Sequence, residues 1–323
     1  MNFSPYIREI GRGAKSATDL DFEAAERLYA AILDGGVPEL ELGALLIALR
    51  MKGETPTELG AFLHAVEARS YRLERPLGEI RPVVLPSYNG ARRGMNLTPL
   101  LALLLQRFGV PVLVHGLIEG FGRTTSAQVF RELGISPAVN LQQAQQRIEQ
   151  EGLTFAPLSV FSPALAEQLA LRARLGLRHC AHTLVKLLDP FISGQGVLMA
   201  AATHPGALDK MREVLLARGQ TALLSRATEG EPFANPLRRP CIEFLHAGTA
   251  QTLFAAERNS IQTLPHLPET ADAKSTAQWI EKALEKKLPL PLPLTNQLVC
   301  CLYASNAARD LNEARARVAA SRI

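Results

Sequence analysis

Residues 83–116 read VVLPSYNGARRGMNLTPLLALLLQRFGVPVLVHG, and their pattern decides the fold. A short apolar run gives way to a Gly/Asn turn carrying Arg92 and Arg93. A helix is expected from about Asn96 to Phe108, and a second apolar run ends at His115 and Gly116. This is a βαβ unit. Its strand-to-helix turn offers free backbone N–H groups and the positive end of a helix dipole, a setting suited to phosphate or another anion.

Upstream, residues 1–72 read as helical. Asp19 or Asp21 is placed to cap a helix over FEAAERLYAAILDGG, which Gly35 and Gly36 close. Leu40 to Met51 forms a second helix, and Thr55 or Thr57 starts a third over ELGAFLHAVEARS. Downstream of the linker RLERPLGEIRP, apolar runs at VVLP, VPVLVHG, ALLS and CIEFL alternate with helical stretches, the α/β pattern. A single low-acid helix is expected over 164–188 and a loop from Thr263 to Ala273. Ser275 or Thr276 is expected to cap a helix over TAQWIEKALEKK, with PLPLPL as a further loop before a last helical stretch.

Composition narrows the function classes. The 323 residues are 47% hydrophobic and 20% charged, and 35 Lys+Arg stand against 31 Asp+Glu for a net charge of +4. The pI is near 9.0. So small a basic excess points to polyanions only where it clusters. Cys180, Cys241, Cys300 and Cys301 lack metal-ligand spacing and read as thiols of a reducing cytoplasm. The first residues lack a basic-then-apolar leader pattern, and the most apolar run, LTPLLALLLQRF, meets Gln106 and Arg107 too early to cross a membrane.

Several strings resemble the anthranilate phosphoribosyltransferase family: LYAAILDGG, LIALRMKGET, GVPVLVHG, TSAQVFRELGI, LGLRHCAHTLVKLLDP, HPGALDKMREVLLARG and QLVCCLYASNAARDLNEARARV. The resemblance covers nearly the whole chain. It implies an α/β fold with a small N-terminal helical domain, residues 1–74 joined by helices from about 161–190, and a larger α/β domain over 75–323, as in the pyrimidine nucleoside phosphorylases.

The family's substrate motifs are altered here. Its glycine-rich GTGGD turn binds phosphoribosyl pyrophosphate (PRPP), because only glycine lets backbone approach the pyrophosphate closely. In this chain the turn is Pro86-Ser87-Tyr88-Asn89-Gly90. The NIST motif becomes Asn96-Leu97-Thr98-Pro99, also an ordinary helix start. KHGNR becomes Val114-His115-Gly116-Leu117-Ile118, losing the cation that would offset leaving-group charge. Pro232 and Phe233 replace the Asp-Glu pair that holds magnesium. Glu229 and Glu231 then read either as substitutes on a shifted loop or as a solvated turn. Arg172 matches the family's anthranilate-binding arginine, and Ser126-Ala127 match its phosphate-side GSAD.

The basic residues suggest a different ligand. Between Glu167 and Asp189 there is no acid, and Arg172, Arg174, Arg178 and Lys186 are joined by His179 and His182. On one helix, residues 174, 178, 182 and 186 would form a stripe, either a solvated face or a footprint for a polyanion. The resemblance places Arg92, Arg93, Arg123, Arg226, Arg238 and Arg239 on loops around the same cleft, with Tyr88 and Phe121 as stacking or packing aromatics. Degraded motifs on this scaffold, with strings such as PSYNGAR and ATEGEPFANP, resemble the YbiB-like branch of the family. That branch implies non-specific binding of single- or double-stranded DNA or RNA by a cytoplasmic homodimer joined through its helical domain. It also implies no anthranilate phosphoribosyltransferase activity, catalytic residue, metal or cofactor.

The alternative is a phosphoribosyltransferase-like pentosyltransferase with an altered acceptor. In it Arg172 would orient the acceptor, and Ser87, Asn89, Gly90, Asn96, Thr98, His115, Gly116 and Ser126 would remain as a phosphate cleft. Magnesium enters only in that case.

Overall fold

A computed structural model describes residues 2–13, 16–257 and 270–321. In chain order it begins with α1 (Ser4–Ile10), α2 (Phe22–Leu33), α3 (Glu39–Lys52) and α4 (Pro56–Glu67). There follow β1 (Val83–Ser87), α5 (Thr98–Arg107), β2 (Val112–Gly116), α6 (Ser126–Glu132), α7 (Leu141–Gln150), β3 (Leu153–Pro157) and α8 (Leu158–Phe161). Next come α9 (Pro163–Ala170), α10 (Arg172–Leu175), α11 (Ala181–Leu187), β4 (Val197–Ala202) and α12 (Pro205–Ala217). The rest is β5 (Ala222–Arg226), β6 (Ile242–His246), β7 (Thr249–Phe254), α13 (Ala273–Leu284), α14 (Leu292–Ala304) and α15 (Leu311–Ala320). Two compact units result, Met1–Tyr71 with Phe161–Leu188 and Arg72–Val160 with Asp189–Ile323.

The first unit is helical. Asp21 caps α2 by accepting from the Ala24 N–H, and Thr55 forms a reciprocal capping box with Glu58 at the start of α4. Their apolar faces meet, with Tyr29 stacked on Phe62 at 4.6 Å. Residues 164–188 do not form the single helix that a basic stripe requires. Gly176, left-handed at φ 68°, ends α10, and α11 begins only at Ala181. The four-residue step from Arg174 to Lys186 therefore does not run along one face.

The second unit holds, among the described residues, a seven-stranded sheet in the order β3-β2-β1-β4-β5-β6-β7. Strands β1 to β5 pair in parallel, and β6 and β7 are antiparallel. The parallel strands β1 to β4 are buried throughout, because helices cover both faces of such a sheet. The chain leaves β1 toward β2 and β3 on one side, and β4 and β5 lie on the other. The carboxyl ends of β1 and β4 thus flank a topological switch point, where open α/β sheets take ligands.

Three helix starts differ from expectation. Asp272, rather than Ser275 or Thr276, caps α13 by accepting from the Ser275 N–H at 2.8 Å. Half of PLPLPL is helical, since α14 begins at Leu292 with Pro293 in its first turn, where proline's missing N–H has no intrahelical role. Helix α5 starts at Thr98, two residues later than expected. The loop expected from Thr263 to Ala273 lies outside the described residues as far as 269.

Candidate functional site

Strands β1 and β2 run side by side, with Ser87 opposite Gly116. A Cβ at Gly116 would stand 1.9 Å from the Ser87 carbonyl oxygen, so this glycine serves close strand approach. The turn that follows β1 is pinned by Ala91, which exchanges backbone hydrogen bonds with Thr124 at 3.0 and 2.8 Å. Gly90 takes φ 71°, the left-handed geometry that glycine tolerates.

The N–H groups of this turn are already occupied. Glu231 is 0% exposed, and its Oε1 accepts from the N–H groups of Asn89 at 2.9 Å and Gly90 at 2.7 Å. Its Oε2 accepts from the hydroxyls of Ser87 and, at 3.3 Å, Thr98. Glu229 takes the next three donors: Arg93 N–H at 2.9 Å and Gly94 N–H at 3.0 Å on Oε1, and Arg92 N–H at 2.9 Å on Oε2. Burial pushes the Glu231 carboxyl up, and the hydrogen bonds from Ser87, Gly90, Asn89 and Thr98 pull it back. The polar chain extends outward. Asn96 donates to Ser126 Oγ at 3.2 Å, and the hydroxyls of Ser126 and Ser87 lie 2.6 Å apart. Because Ser87 gives its proton to Glu231, Ser126 donates to Ser87.

This arrangement corrects the expected phosphate cleft. Ser87, Asn89, Gly90, Asn96, Thr98, His115, Gly116 and Ser126 do come together, but all are buried, and most are bonded to Glu231 directly or through a neighbour. The chain's own carboxylates stand where an anion would sit. Glu231 is neither on a solvated turn nor presented to a cation, since both its oxygens are saturated by donors. The surroundings therefore do not fit magnesium. Among the described residues no cluster of three or more His, Cys, Asp or Glu could hold a metal ion. An EGE sequence just beyond a strand was the available signal, and only the fold shows that both carboxylates turn inward.

The candidate basic residues divide between the two units. In the α/β unit, Arg92 and Arg93 are exposed, while Arg123 is partly buried, donating to the Gly90 carbonyl at 3.1 Å and standing 3.5 Å from Glu229. Tyr88 is 4% exposed and is a packing residue rather than a stacking platform, whereas Phe121 is 48% exposed at φ 43°. In the helical unit, Lys186 is buried, which corrects its place on a surface stripe. Arg174 is exposed and paired with Glu39 through two bonds of 2.9 and 3.1 Å, so the acid thought missing comes from α3. Arg172 and Arg178 are partly buried. His179 and His182 are buried, and desolvation lowers them to about 4 and about 3, leaving both neutral at pH 7.

The sheet order, the helical unit and the turn define a class, and the chain belongs to the anthranilate phosphoribosyltransferase-like family. Residues 4–70 match the helical bundle domain of the glycosyl transferase family. The chain is 41% identical to the Escherichia coli (strain K12) protein YbiB over 318 residues, 98% of this chain and 99% of that one. It is 31% identical to an anthranilate phosphoribosyltransferase of Desulfitobacterium hafniense (strain Y51), over 61% of this chain and 57% of that enzyme. Among solved structures, the Thermus thermophilus anthranilate phosphoribosyltransferase superposes with a TM-score of 0.78 at 24% identity, covering 98% of this chain and 94% of that one. The Saccharomyces cerevisiae enzyme in complex with PRPP and Mg gives 0.69 at 13% identity, covering 99% and 94%. Both likenesses concern the fold.

Proposed function

We propose that this protein binds nucleic acid without sequence preference, on a phosphoribosyltransferase-like scaffold that no longer transfers phosphoribosyl groups. One observation carries the reading. The turn that would cradle pyrophosphate spends its N–H groups on Glu229 and Glu231 and leaves the side chains of Arg92 and Arg93 exposed. Attraction for phosphate has moved from backbone to side chain, which suits a phosphate backbone lying across the surface better than one enclosed pyrophosphate. A pentosyltransferase with another acceptor would need Glu231 to leave the nest.

A homodimer joined through the helical unit is part of this reading. Ile7, Ala44 and Ile47 line an apolar groove between α1 and α3, flanked by exposed Leu40 and Met51. The cytoplasm suits its four free cysteines. Among the described residues no helix is long and apolar enough to cross a membrane.

Fluorescence anisotropy with a labelled oligonucleotide tests the proposal. Affinity is expected to fall linearly on a log–log plot against salt, and Arg92→Ala with Arg93→Ala to weaken binding alike for all sequences. Calorimetry with PRPP and magnesium is expected to be silent. Salt-indifferent binding, or stoichiometric PRPP binding, defeats the reading.

A further inference from the structure

A cavity of about 800 Å³ opens in the α/β unit at the carboxyl ends of β4 and β5, beside the switch point. It adjoins the filled nest, sharing Arg93, Gly94, Thr228 and Glu229 with it, but Glu231 and the residues that donate to it do not line the cavity. Five arginines and three carboxylates line it, and most of these charges are committed. Arg212 is bonded to Glu243 and lies 3.7 Å from Asp209, Arg239 reaches Glu257 at 2.7 Å, and Glu229 is held by the turn. Arg93, Arg226 and Arg238 remain, exposed and without an ion pair among the described residues.

Two further features point to an anion. Helix α12, 13 residues long, meets the cavity at Pro205 and Leu208, with no side-chain cap and no acid in its first turn. Pro205 has no N–H and Ala207 donates to the His204 carbonyl at 3.1 Å, so the helix offers the positive end of its dipole rather than a set of free donors. Ser225, 3% exposed, also lines the cavity, and its hydroxyl has no hydrogen-bond partner among the described residues. A buried hydroxyl left so is costly unless a ligand completes it. Leu208, Leu224, Phe233 and Pro236 give the cavity an apolar wall as well.

We infer that this cavity binds a nucleotide unit, with the phosphate on Arg93, Arg226, Arg238 and the start of α12, and the base against the apolar wall. The unit comes either from a free nucleotide or from a nucleic acid strand. Only the second source rests on the function proposed above. An inorganic anion would satisfy the arginines but would leave the apolar wall without a partner.

The test is titration of the full-length protein with AMP, inorganic phosphate and a single-stranded oligonucleotide of about 16 nucleotides. AMP is expected to bind more tightly than phosphate, and Arg226→Ala with Arg238→Ala to weaken AMP about tenfold or more. Both side chains are exposed, so the variant is expected to melt as the parent does. Absence of AMP binding, equal binding by the double variant, or phosphate binding as tightly as AMP overturns the inference. Displacement of AMP by the oligonucleotide assigns the site to a strand, and co-binding assigns it to a free nucleotide. Failure of the oligonucleotide to bind at all defeats the nucleic-acid reading and leaves the AMP result standing.

Discussion

Glu231 accepts the hydrogen bonds that a phosphate-binding turn would offer its ligand. Replacing it with alanine strands the N–H groups of Asn89 and Gly90 and two hydroxyls in a buried space. Each unsatisfied buried donor costs about 1–3 kcal/mol. We therefore expect Glu231→Ala to lose about 3 kcal/mol or more in urea unfolding. Glu231→Gln keeps one oxygen toward the two N–H groups and turns its amide toward hydroxyls that can accept, so a loss of about 1 kcal/mol is expected. Equal losses in the two variants would refute the network. This is also where the sequence was least legible. The loss of the glycine pair was visible in Tyr88-Asn89, but a charged EGE string reads as solvent-facing, and its burial depends on donors from residues 87–98, far away in the chain. The same holds for Lys186, whose burial no local pattern announces.

At the level of elements, punctuation decided what could be read. Asp21, Thr55 and the β1-α5-β2 unit stand where the sequence puts them, because caps and apolar runs are local signals. β4, VLMAAA, escaped because Met and Ala suit helices as well, and β7 escaped because its first four residues are exposed. Gly176 was the overlooked signal in 164–188, a helix stop in the midst of helix-favouring residues. Glycines also separate two kinds of element contact. Gly116→Ala would drive a Cβ into the Ser87 carbonyl and prise β1 from β2, for an expected loss of about 3 kcal/mol or more. Gly60→Ala, inside α4 with only Phe22 at 4.0 Å, is expected to gain about 0.5–1 kcal/mol. Circular-dichroism melts of the two variants that shift in the same direction would contradict these assignments.

For the whole molecule, the two units are built to respond oppositely to acid. In the helical unit, His179 faces the Gln168 carbonyl and Arg50, and His182 faces His179, Arg178 and Arg172. Unfolded, each imidazole titrates near 6.5; folded, they titrate at about 4 and about 3. Below pH 6.5 the unfolded chain takes up protons that the folded unit refuses, so stability falls by up to roughly 1.4 kcal/mol per pH unit for each histidine. In the α/β unit, Asp189 is buried and accepts from Phe191 N–H, Gly196 N–H and Gln220, with Arg72 also near. Desolvation raises it to about 6 from 3.8. Below pH 6 the folded unit keeps a proton that the unfolded chain binds less readily, so its stability rises as pH falls toward 3.8. Calorimetry between pH 6.5 and pH 5 is expected to move the two melting components apart, the helical one downward. His182→Gln should lessen the downward shift without altering the α/β component. A common shift of both components, or an unchanged acid response in His182→Gln, would show that the burial of these imidazoles does not govern the acid response of the helical unit.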